Sequence, residues 1–223
     1  MKPNKSRDSV KPVRRHYQSP LRAAAAARRR AAILEAARQE FERHGWAGAR
    51  FGEIARSAAV SQKLVEALFR NKAGLLQATV DYVIRGDGSD LPMPQRKAIT
   101  QMEEAADATT FLRLHARHVR NVNGRSAAIA FVVEHAAAAD SAAAALWSQM
   151  NHNRAYAVNW ATNCLLAKPG RRTHLARTRI EATFWIALDW NTYRTLTTHA
   201  HFEPTEFETW LRNYYTDALL PRR

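Results

Sequence analysis

The sequence predicts an all-α chain: an N-terminal three-helix unit containing a helix-turn-helix, joined by a fourth helix to a larger C-terminal helical bundle. Three observations lead there. Gly and Pro are scarce, eight each in 223 residues, while Ala, Leu and Arg dominate, which favours helix over sheet. Apolar residues recur at i, i+3, i+4 and i+7 through nearly every segment, and no strand-like alternation or repeat period is present. Between Arg50 and Leu76 two short periodic runs flank a tight Ala59-Val60-Ser61 turn.

Residues 1–20 hold three prolines, six basic side chains and almost nothing apolar. Such a segment cannot bury enough surface to offset its ordering entropy and is read as a disordered arm. Its cations can follow DNA phosphates or simply keep the chain soluble. From Leu21 to His44 a strong helix is expected, with an apolar stripe of Ile33, Leu34, Ala37 and Phe41. Gly45 should end it, and Trp46 should then pack on Phe41 and Ile54.

The next two helices carry Phe51, Ile54, Ala55 and Ala58, then Leu64, Val65, Leu68 and Phe69. Two short amphipathic helices joined so tightly must cross steeply to share one core. One face of the second is then left free for a DNA major groove. Ser61 is a good N-cap for that second helix.

Ala73–Arg85 forms a fourth helix, followed by the breaker GDGSDLPMPQ, the expected boundary between a unit at 21–85 and one at 86–223. Further helices are expected over 95–107, 109–121 (broken at Gly124), 126–139, 142–168, 173–200 and 205–220. Pro169-Gly170 stops one of them, and Pro204 opens the last.

Charge supports a polyanionic partner. The chain carries +14 with His neutral, and the first 85 residues hold eighteen Lys/Arg against seven acids. The single cysteine, Cys164, excludes a disulfide framework and a cysteine-based zinc finger. No apolar run is long enough for a transmembrane helix, and no secretory pattern is present, so a cytoplasmic location is expected. Phosphate-binding glycine loops, Gly-x-Ser-x-Gly elbows and HExxH are all lacking, so no enzyme and no cofactor is expected. His115 and His118, three apart, read as ordinary pocket or surface histidines rather than metal ligands.

The run ILEAARQEFERHGWAGARFGEIARSAAVSQKLVEALFRNKAGLL resembles the N-terminal domain of the tetracycline-repressor (TetR/AcrR) family. Ile33, Ala36, Ala37, Phe41, Gly45-Trp46, Ile54-Ala55, Ala58, Val60-Ser61, Phe69, Lys72 and Leu75 carry the resemblance. It implies an all-helical dimer with a variable C-terminal ligand-binding domain. It also implies a one-component regulator, a repressor, that holds a palindromic double-stranded DNA operator until a small-molecule effector releases it.

On the motif, Arg50, Ser61, Gln62, Lys63, Glu66 and Lys72 are the expected DNA-facing residues. Gln62 can bond adenine, Lys63 can reach guanine or phosphate, and Lys72 can hold a phosphate at a helix start. Five positions depart from the family's pattern, two of them Ala67 and Leu68, which replace polar or aromatic residues. Ala59 replaces the turn glycine, Arg50 replaces a capping Ser or Thr, and Glu66 replaces a phosphate-contacting Tyr. A carboxylate cannot donate to phosphate, so Glu66 is expected to pair with Arg70 at i+4, or else to accept from a cytosine amine. These departures motivate a second reading, a helical ligand- or partner-binding protein with only weak, non-specific DNA affinity.

In the second unit, aromatic residues with a few polar groups among them suggest an effector pocket near Phe111, His115, Phe131, His135, Met150, Arg154, Trp185 and Asp189. The two C-terminal helices carry Phe184, Trp185 and Leu188, then Phe207, Trp210, Leu211, Tyr214 and Tyr215. That excess of apolar surface suits a two-fold homodimer interface.

Overall fold

A computed structural model describes residues 20–86 and 95–221, and among these every regular element is helical. The basic arm, but for Pro20, and most of the GDGSDLPMPQ segment lie outside the described residues. Helix α1 spans Pro20–Gly48 and buries Ile33, Leu34, Ala37 and Phe41. Gly45 interrupts it at φ 65°, a left-handed value that glycine adopts without strain, and one further turn follows. Trp46 stacks on Phe41 with ring centroids 6.2 Å apart.

Helices α2 (Phe51–Ser57) and α3 (Gln62–Phe69) form the helix-turn-helix. Between them Ala59 takes φ 53°, the left-handed conformation that the missing glycine would have supplied. Ser61 caps α3 by accepting from the Leu64 amide at 3.3 Å. Helix α4 (Lys72–Arg85) is capped by Asn71 and ends at Gly86, φ 78°. A Cβ on Gly86 would fall 2.4 Å from the Arg125 guanidinium, so glycine there admits that side chain.

The remaining helices are α5 (Lys97–Glu103), α6 (Ala108–Ala137), α7 (Ser141–Leu166), α8 (Arg177–Ala187), α9 (Trp190–Arg194, continued by a π turn at Thr195–His199) and α10 (Pro204–Leu219). Asp107, Asp140 and Asp189 cap α6, α7 and α9. Helix α6 is the central beam. It packs on α7, α9 and α10 and also on α1, α4 and α5. Phe111, Phe184, Phe207 and Tyr215 are fully buried around it, each burial stabilising the fold by about 1.5–3 kcal/mol.

Two expectations are corrected. Gly124 does not break a helix: α6 runs unbroken through it for 30 residues. A Cβ on Gly124 would lie 3.1 Å from the Tyr193 hydroxyl, so this glycine lets α9 approach closely. The expected single helix over 173–200 is instead α8 and α9, separated at Leu188-Asp189. Asp189 caps α9 through the Thr192 amide at 3.0 Å and pairs with Arg154 of α7. Those tertiary and capping bonds outweigh the continuous apolar pattern of the segment.

Candidate nucleic-acid interface and effector cluster

Helix α3 turns Val65 and Phe69 into the core and leaves Gln62, Lys63, Glu66 and Ala67 exposed, with Leu68 44% exposed beside them. Its polar face therefore points away from the three-helix core, as the turn geometry requires. Gln62 donates to the Glu66 carboxylate at 2.8 Å. This corrects the expected Glu66–Arg70 pair. Arg70 has left the helix at φ 62°, so its side chain no longer follows the i+4 track. Glu66 thereby fixes Gln62 and lends the face one negative charge beside Lys63.

Arg50 stands exposed at the start of α2 with no side-chain cap, and its amide donates to Glu40 at 3.3 Å. Lys72 is half-buried. Its ammonium donates to the Ala47 carbonyl at 3.2 Å and lies 5.1 Å from the centre of the Trp46 ring. Burial lowers its pKa, partly countered by Asp140 and Glu40. Lys72 thus ties the start of α4 to the last turn of α1. Arg30 covers the Phe69 ring at 4.8 Å, at the far end of α3.

The eight residues expected around an effector fall into three places. Phe111 and His115 belong to a sealed cluster with Phe184 and Tyr215, in which the His115 Nδ1 and the Tyr215 hydroxyl are 2.8 Å apart. Burial pushes the His115 pKa down to about 3. One turn on, His118 is held at about 4 by burial and by the charges of Arg125 and Arg96.

Phe131 and His135 lie further along α6. The His135 ring bonds the Phe131 carbonyl, and the Arg194 guanidinium sits 3.5 Å over the Phe131 ring.

Met150, Arg154, Trp185 and Asp189 mark the corner of α7, α8 and α9. Met150 is buried one turn before Arg154. The Arg154 guanidinium bonds Asp189 at 2.7 Å and faces both Trp185 (4.8 Å) and Trp190 (5.4 Å). Its Nε is buried without a partner. From this corner Trp190 donates to the Ser126 hydroxyl at 3.1 Å. The preceding residue, Arg125, donates to the Val83 and Ile84 carbonyls at the end of α4, at 3.0 and 3.1 Å. Arg96 donates to the next carbonyl, that of Arg85, at 2.7 Å.

An open groove of about 370 Å³ beside α5 and α7, lined by Glu103, Tyr156, Trp160, Cys164 and Lys168 among others, was not foreseen from the residues. Trp160 donates to Glu103 there at 3.0 Å. Only the i, i+4 recurrence of Tyr156, Trp160 and Cys164 on one helix face could have pointed to it.

Residues 33–79 match the family model for bacterial regulatory proteins of the tetR family. The chain is 28% identical over 191 residues to the HTH-type transcriptional regulatory protein RaaS of Mycobacterium tuberculosis, spanning 86% of this chain and 81% of that one. Its fold resembles a transcriptional regulator from Saccharomonospora viridis solved in complex with choline. The TM-score is 0.65 at 15% identity, over 89% of this chain and all of that one. It also resembles NalD of Pseudomonas aeruginosa, the secondary repressor of the MexAB-OprM multidrug efflux pump. There the TM-score is 0.64 at 18% identity, over 89% and 100% of the two chains.

Proposed function

We propose that the chain is a DNA-binding transcriptional regulator of the tetR family, whose model residues 33–79 match, and that it is a cytoplasmic, dimeric, one-component repressor that holds a palindromic operator and is released by a small-molecule effector. The observation that carries the reading is α3. It is a short, N-capped helix whose apolar side is locked into the core by Val65 and Phe69 and whose polar side is exposed. In a major groove, Lys63 would reach guanine or phosphate, while Gln62 and Glu66 would act together as one bonded reader. Arg50 and the Ser61 end of α3 would meet the flanking backbone, and Lys72 would add its charge at the start of α4.

Two recognition helices must stand about one DNA turn apart, ~34 Å, to use both half-sites. The surface supporting dimerisation is on α8 and α10. Ile186 is 46% exposed, and Trp210 and Tyr214 stack on each other with centroids 5.6 Å apart, only partly covered. Phe184, Phe207, Leu211 and Tyr215, by contrast, are spent on the internal core.

For the effector we favour the Arg154 corner over the other two places. A guanidinium held between two indole faces with one unpartnered nitrogen offers both apolar surface and a polar anchor. A ligand that moved Arg154 would disturb Asp189 and α9. That shift would pass through Trp190 and Ser126 to Arg125 and the end of α4. Footprinting on the DNA upstream of the coding sequence tests the regulator reading. A protected palindrome at moderate salt is expected, and uniform, unprotected cleavage would sink it.

A further inference from the structure

Helix α1 starts well before the core it serves. Its buried stripe begins at Ile33, yet the helix extends back to Pro20. Ala23, Ala26, Ala27 and Arg30 continue the same i, i+3, i+4, i+7 face, but all four are exposed. Leu21 is 80% exposed. This extension stays helical by intrinsic propensity: five consecutive alanines, Ala23–Ala27, are the best helix formers. It therefore projects as a stiff arm, about 15 Å long for ten residues.

The arm carries one sign of charge. Arg22, Arg28, Arg29 and Arg30 are exposed, and no acid occurs between Asp8 and Glu35. Arg22 lies in the first turn, where the dipole is already positive and unfavourable for it in isolation, while Arg28, Arg29 and Arg30 follow about two to three turns further along. An anion at this end would be favoured by both the arginines and the dipole. The arm's place is set by Arg30, whose guanidinium lies 4.8 Å over Phe69, the last residue of α3. The extension thus leaves the domain beside the recognition helix.

We propose that residues 20–29 of α1 form a second DNA-binding element, in which Arg22, Arg28 and Arg29 contact backbone phosphates outside the groove read by α3. The proposal rests on the regulator reading above. The contacts are sequence-independent: they lengthen the footprint and steepen the salt dependence without choosing bases.

The test is the full chain carrying Arg22→Gln, Arg28→Gln and Arg29→Gln together, since glutamine keeps nearly the helix propensity of arginine. Binding is measured on a duplex from the chain's own upstream region and on a random duplex of equal length, between about 50 and 200 mM salt. The slope of log K against log salt should become shallower by about 0.9 per lost phosphate contact, that is by about 5 if all three arginines of both subunits engage. Affinity should fall by the same factor on both duplexes, and hydroxyl-radical protection beyond the half-sites should vanish. A triple Arg→Lys variant should keep the slope. An unchanged slope and footprint in the glutamine variant, with helicity by circular dichroism intact, overturns the proposal. The regulator reading fails on a different result: wild-type protein that cannot tell the upstream duplex from the random one. A slope that still drops in that case upholds the arm alone.

Discussion

Replacing Ala59 by glycine should stabilise this protein, although it removes a methyl group from the centre of the helix-turn-helix. Ala59 holds φ 53°, where its Cβ crowds the following carbonyl, a cost of about 1–2 kcal/mol for an L-residue. The side chain is exposed, so its loss forfeits no packing. The turn's bonds, from the Ala59 amide to the Arg56 carbonyl at 3.2 Å and from the Val60 amide to the Ala55 carbonyl at 3.0 Å, are backbone bonds that glycine retains. Against the relief stands the greater freedom of glycine in the unfolded chain, about 0.4–1 kcal/mol. The net gain is then roughly 0.5–1 kcal/mol, or about 1–4 °C in Tm for a chain of this size. Urea denaturation by circular dichroism reads the change, with the m-value constant. Ala59→Val is the opposite control: a β-branched residue at positive φ should lose about 1 kcal/mol or more. A glycine variant no more stable than wild type, together with a tolerated valine, would refute the strained turn.

Two further perturbations probe the second unit. Asp189→Asn keeps an N-cap for α9 but removes the charge facing Arg154, whose side chain is only 18% exposed. A loss of about 2 kcal/mol is expected, and Arg154→Met in the same chain should return much of it by removing the stranded cation. No recovery in the double variant would show that the pair is not what matters there. The buried histidines set an acid limit. His115 and His118 are held at about 3 and 4 against an ordinary 6.5, so the unfolded chain takes up protons that the folded chain refuses. Stability is whole above about pH 6.5 and falls as pH drops, by about 1.4 kcal/mol per unit per histidine. His115 alone should cost about 2 kcal/mol between pH 6.5 and 5. His115→Gln should flatten that decline in denaturation curves at the two pH values, and an equal decline in the variant would assign the loss elsewhere.

The DNA-binding half was legible in the sequence because its signals are local. Ser61 caps within three residues, the apolar stripes are short, and the tight turn at Ala59-Val60-Ser61 joins them directly. The bundle was less so, because distant partners decided its breaks. Phe184, Trp185, Leu188 and Trp190 read as one continuous helix, and only the Arg154 partner and the cap at Thr192 reveal why Asp189 divides it. Gly124 looked like a breaker because nothing in its neighbourhood announces Tyr193. Glu66 had two helical neighbours to choose between. Arg70 lost because the chain had already left the helix there, a fact fixed by the next turn rather than by spacing. The candidate effector residues share helix faces in sequence terms but not a common space, since periodicity gives a face and not its neighbour.

The end of α4 carries a consequence for building new regulators from this protein. Its last carbonyls are held by Arg125 from α6 and by Arg96, and α1 and α4 both rest on α6. The reading head is therefore not a cassette. Grafted onto another bundle, the first four helices would expose the apolar sides that α6 covers and leave α4 without its guanidinium clamp. A working chimera would have to carry the docking surface with it: the middle turns of α6, Arg125 above all, and the glycine at position 86 that admits it.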